Sequence, residues 1–186
     1  MRPKMKKSLR PKYLPTVEIP NTMILGTADD FAQAAESLLQ HRQGARPIYV
    51  LSCFAIELYL KSLRAEPVYT QSRLERSFRS HEETARVLPN ADGRLVHYLD
   101  DLYRALDNPL KHGLRQAYKA KPVVKEAPTI LKALMVYSST FVAARYSFEY
   151  NNSRILDKLQ RRTINELLAL MRLIGDYVRS YPKHLR

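Results

Sequence analysis

The sequence predicts an all-α fold, an up-and-down helical bundle preceded by a disordered or extended basic tail. Three observations carry this. Apolar residues recur at spacings of three and four in several windows, and no stretch alternates as a half-buried strand does. Only five of the 186 residues are glycine, while Leu, Ala, Arg, Lys and Glu, all good helix formers, are abundant. Residues 48–60 are apolar except for Ser52 and Glu57. That run falls short of the roughly 20 residues a membrane span needs. It is apolar on nearly every face, so as a helix it must be surrounded by protein. The length suits one domain with a proper core. The expected division is a tail over 1–22 and a single helical domain over 23–186.

Each element has its own signal. Pro3, Pro11, Pro15 and Pro20 forbid a regular helix in the tail, because each removes a donor and restricts its neighbour. Residues 17–25 are placed where the tail meets the domain. Thr27 suits an N-cap, with Asp29 and Asp30 in the first turn and Phe31, Ala34, Ala35, Leu38 and Leu39 as the stripe, so a helix is predicted over 28–42. Gly44 ends it. Pro47 opens the central helix at a position where proline is tolerated, and Pro67 stops it after Arg64. Residues 67–80 read as loop. Ser80 with Glu83 has capping-box spacing, which predicts a short helix over 80–88. Leu95, Leu99, Leu102, Tyr103 and Leu106 predict a helix over 93–107, and Pro109, Gly113 and Pro122 predict irregular chain over 108–126. Pro128 begins a helix striped by Ile130, Leu134, Tyr137, Phe141, Arg145 and Phe148. The last helix, over 160–179, turns Ile164, Leu167, Leu168, Met171, Ile174 and Val178 inward.

Two charges fall on core-facing positions, Glu57 and Arg145. A carboxylate removed from water costs several kcal/mol unless it is paired. Packed helices approach to within reach of an Arg–Glu pair, and the guanidinium fork matches a carboxylate. A Glu57–Arg145 ion pair is therefore predicted, with Glu149 and Lys61, each one turn away on its helix, as partners in the network. A structural pair of this kind need carry no chemistry.

The net charge is +13. Arg2, Lys4, Lys6, Lys7, Arg10 and Lys12 precede the first acid, Glu18; subtracting those six leaves +7 on the rest. The six form a candidate nucleic-acid-binding arm, since each phosphate neutralised releases counterions. The alternative is a solvated leader. The one cysteine, Cys53, excludes an internal disulfide and a cysteine-based zinc site, and reads as a small core residue in a reducing compartment. No secretory segment is evident, so a cytoplasmic location is expected. His97 and His112 have no partner at ligand spacing, and His41 and His184 lie at helix or chain ends, so neither metal nor cofactor is expected.

Three segments resemble one family. SCFAIELYLKSL over 52–63 resembles a helix with an A-x-E-hydrophobic-x-L-K core found in HEPN-like proteins. Ser80-His81-Glu82 lies where many of these have a Gly-His-Asp-Leu start, and TFVAARYSFEY over 140–150 resembles a later segment of one bacterial branch. The resemblance spans about residues 28–175. It implies an all-α bundle, often a homodimer, and relatives that are frequently metal-independent ribonucleases or members of defence and toxin–antitoxin systems. The family's nuclease motif is Arg, four to six residues, then His: the histidine moves the 2′-hydroxyl proton and the arginine stabilises phosphate charge. Here Tyr150, Asn151 and Asn152 stand where the histidine should follow Arg145, and none can act as a general base. The expectation is a non-catalytic RNA- or nucleotide-binding module. The alternatives are a ribonuclease using Arg76 and His81, which match that spacing literally, or a pocket at Arg145, and a dimeric scaffold.

Overall fold

The computed structural model describes residues 18–41, 44–67, 85–87, 98–145, 161–182 and 184–185. They are mostly helical, in keeping with an all-α bundle. Six helices are described: α1 Thr22–Gln40, α2 Ala45–Ser62, α3 Leu99–Arg104, α4 Asn108–Ala120, α5 Ile130–Arg145 and α6 Arg161–Ser180. Two short antiparallel pairs accompany them. β1 Glu18–Ile19 pairs with β4 His184–Leu185, and β2 Ala65–Pro67 pairs with β3 Ala85–Val87.

Helix α2 is the centre, packed against α1 along its length and against α3, α5 and α6. Its apolar run is buried as its composition requires: Ile48, Tyr49, Cys53, Ala55, Ile56, Tyr59 and Leu60 are all closed to solvent. Ser52 is satisfied locally, its hydroxyl donating to the Ile48 carbonyl at 2.8 Å. The α5 stripe meets this helix through aromatic rings. Phe141 stands edge-on to Phe54, with centroids 5.2 Å apart, and the Tyr49 hydroxyl donates to the Tyr137 carbonyl at 3.1 Å. The six inward positions of α6 named above are buried as well.

Three sequence expectations are corrected. Helix α1 begins at Thr22, six residues earlier than expected. Asn21, rather than Thr27, is the N-cap: its Oδ1 accepts from the Ile24 amide at 3.1 Å. The Asn21 amide also donates to the Ser62 carbonyl at 2.9 Å, and Ile19 is fully buried, so residues 18–21 belong to the fold. Thr27 lies inside the helix, its hydroxyl donating back to the Met23 carbonyl. Residues 85–87, expected in a helix over 80–88, are extended and pair with Ala65–Pro67. A capping-box spacing is a weak local preference, and here a cross-chain ladder supplies the backbone partners instead.

The third correction is α4, in a stretch read as irregular. Pro109 sits in its first turn, where an N–H is not needed. Pro122 lies beyond its end. Gly113 is tolerated because Tyr177 of α6 occupies the space above it: a Cβ there would stand 2.7 Å from the tyrosine Cε2. The periodic residues Leu110, Leu114 and Tyr118 are buried, and the Tyr118 hydroxyl bonds to the Val124 and Ala127 carbonyls, pinning the following loop. Helix α3 is capped from outside its own segment. Ser138 of α5 accepts from the Leu99 amide at 2.9 Å and donates to Asp100 at 2.7 Å. Among the described residues no helix is long and apolar enough to cross a membrane.

Candidate functional site

The two charges that the sequence singled out lie on α2 and α5. Glu57 is 3% exposed, and Lys61, one turn on, donates to its Oε1 at 2.5 Å. Burial strengthens such a charge-assisted bond because water cannot screen it. Arg145 is the last described residue of α5, and its side chain, like all of Glu149, lies outside the described residues. Arg76, His81 and the arm residues Arg2, Lys4, Lys6, Lys7, Arg10 and Lys12 lie outside them too. His112 is exposed on α4. His41 closes α1 by donating from Nδ1 to the Ser37 carbonyl. Burial pushes the Cys53 thiol well up, which keeps it protonated and unreactive. Among the described residues no group of three or more His, Cys, Asp or Glu could hold a metal ion.

A polar constellation that sequence reading passed over joins α1, α2 and α6. The Tyr59 hydroxyl donates to Asp29 Oδ1 at 2.7 Å. Arg179 donates through one terminal nitrogen to the same Oδ1 at 2.5 Å and to the Tyr59 oxygen at 3.1 Å, and through the other to Asp176 at 2.8 Å. Its guanidinium carbon lies 5.7 Å from the centroid of the Tyr59 ring. Burial and the acceptor at Asp29 push the Tyr59 pKa above the ordinary tyrosine value, so the phenol stays neutral. Desolvation opposes the Arg179 charge, but Asp176, Tyr59 and Asp29 more than offset it and hold the pKa up. Two turns along, Arg172 of α6 donates through Nε to Glu36 of α1 at 2.7 Å. Asp29, Glu36, Tyr59, Arg172 and Arg179, with Ala32, Gln33 and Met171, line a cleft of about 350 Å³.

Tyr59 reaches this position because of Gly175. A Cβ at residue 175 would lie 2.8 Å from Tyr59 Cζ. The missing side chain therefore lets α6 close over the ring. The signal in the sequence is Asp29: with α1 starting at Thr22 it lies beyond the first turn, contrary to the expected helix-dipole role, and serves this constellation instead.

A second feature is the flank of α4. Lys111, Arg115 and Lys119 recur every fourth residue, beside the buried Leu110, Leu114 and Tyr118. Residues 108–125 contain five Lys or Arg and no Asp or Glu. Arg115 is steadied by its Nε donating to the Tyr103 hydroxyl at 3.0 Å, and Lys111 by donating to the Arg104 carbonyl at 3.3 Å. Arg64, which the sequence did not single out, is 7% exposed; desolvation lowers its pKa while the charge of Asp107 opposes that shift. Compared with family models, curated proteins and solved structures, the chain matches none.

Proposed function

We propose that this protein is a non-catalytic, HEPN-like RNA-binding module that takes the phosphates of single-stranded RNA on the Lys111–Arg115–Lys119 flank of α4. One observation carries the reading: a cationic row on a rigid helix, in a stretch of chain without a carboxylate. Residues four apart on a helix rise by about 6 Å, close to the spacing of successive phosphates on a strand. A solvated helix face ordinarily mixes signs through i,i+4 pairs. This one does not, and the net charge of +13 gives it a long-range field of the right sign. The resemblance of residues 52–63 and 140–150 to HEPN-like proteins points in the same direction.

The test is fluorescence anisotropy with a mixed-sequence single-stranded RNA at several salt concentrations. Lys111→Gln with Lys119→Gln should lower the magnitude of the log K against log salt slope by about 1.4, at roughly 0.7 per phosphate contact. Arg115 is left in place because it also holds Tyr103. Deleting residues 1–12 should lower the slope further, by up to about 4, if the arm's six cations each meet a phosphate. No binding by the full chain at low salt would remove this reading. Cleavage of total RNA that is lost in His81→Ala or Arg145→Ala would replace the binding module by a ribonuclease.

A further inference from the structure

The cleft between α1 and α6 is built with opposite polarity on its two walls. Asp29 and Glu36 stand seven residues apart on α1, and Arg179 and Arg172 stand seven apart on α6. Seven helical residues span about 10 Å. The two cross-helix ion pairs, Asp29–Arg179 and Glu36–Arg172, therefore sit at opposite ends of the space, with Tyr59 and Met171, both about 1% exposed, beneath it.

The ion pairs leave hydrogen-bonding capacity unused. Asp29 Oδ1 accepts twice and Glu36 Oε1 once. Among the described residues no hydrogen bond reaches Asp29 Oδ2, Glu36 Oε2 or the two terminal nitrogens of Arg172. Acceptors thus remain on the α1 wall and donors on the α6 wall of one cleft. A simple anion would meet the fork of Arg172 but also two carboxylates; a simple cation would meet the carboxylates but also two guanidiniums. A molecule carrying both charges satisfies both walls. The volume of about 350 Å³ lies at the small end of ligand pockets.

We propose that this cleft binds a small zwitterion, its protonated amine on the free oxygen of Glu36 and its carboxylate or phosphate on the terminal nitrogens of Arg172. Guanidinium favours such planar, bidentate acceptors over a point contact. The site shares no residue with the α4 flank, so it stands whether or not the protein binds RNA.

The test is isothermal titration calorimetry on the full chain. Diglycine provides the carboxylate arm and phosphoethanolamine the phosphate arm. N-acetylglycine and glycinamide each keep one charge only. Saturable binding of at least one zwitterion is expected, weakened at least about tenfold by loss of either ligand charge, by Arg172→Gln or by Glu36→Gln, each of which removes a charge-assisted bond. Both variants should melt close to the parent, because exposed pairs contribute little to stability. Failure of both zwitterions to bind at millimolar concentration overturns the proposal. So does equal binding of the singly charged analogues, or undiminished binding by both variants.

Discussion

Gly175→Ala should destabilise the protein although it replaces a helix-interior glycine by the best helix former. The intrinsic gain from Gly to Ala in a helix is about 1 kcal/mol. Against it stands the added methyl, which would lie 2.8 Å from Tyr59 Cζ and 3.0 Å from its Cε2 and hydroxyl oxygen. The ring cannot step aside cheaply. It is 1% exposed, and its hydroxyl is held by Asp29 and Arg179. Overpacking of this kind costs about 1–3 kcal/mol. The net change should run from near zero to about 2 kcal/mol of lost stability, the difference between that overpacking and the intrinsic gain. Gly26 on α1 is the internal reference, since a Cβ there would meet nothing within 4 Å. Gly26→Ala should stabilise by about 0.5–1 kcal/mol. Urea titrations of the two variants, compared at equal m-value, measure the contrast. Tyr59→Leu in the Gly175→Ala background should recover part of the loss relative to Tyr59→Leu alone, a positive coupling between touching residues. If Gly175→Ala is as stabilising as Gly26→Ala, the close approach of α6 over Tyr59 is wrong, and with it the shape of the cleft.

Two further outcomes follow from the buried groups. Glu57→Ala should cost about 3–5 kcal/mol by stripping the counter-charge from Lys61, whereas changing Glu57 and Lys61 together to Met should be much milder; denaturant titration of both variants decides, and a near-neutral single change would mean the pair is not held in the core. Stability should also fall in alkali. Tyr59, Tyr118, Tyr137 and Tyr177 are raised from 10.0, and Cys53 from 9.0, chiefly by burial. Their contribution is complete below those ordinary values and is lost as pH climbs through the raised ones, because the unfolded chain releases protons that the folded chain keeps. Unfolding midpoints that stay level from about pH 9 to pH 11 would contradict this assignment, given an ordinary tyrosine value near 10.

By itself the sequence determined that the chain is helical, that 47–64 is its buried centre and which faces of the last two helices turn inward. Those properties are periodic along the chain, and burial of an apolar face is the dominant force acting on them. It also determined that Glu57 needs a charged neighbour, since the cost of burying a carboxylate does not depend on the fold. Only the tertiary structure decided the rest. Helix α4 looked broken because Pro109 and Gly113 are weak local signals; docking of Leu110, Leu114 and Tyr118, with Tyr177 above Gly113, overrides them. Ala85–Val87 is extended because Ala65–Pro67 is there to pair with it. Asp29, Tyr59 and Arg179 are separated by 30 and 120 residues and share no motif. Nothing one-dimensional links a first-helix carboxylate to a last-helix guanidinium. The packing of α1 and α6 over α2 brings them together, and the glycine at 175 gives the tyrosine room between them.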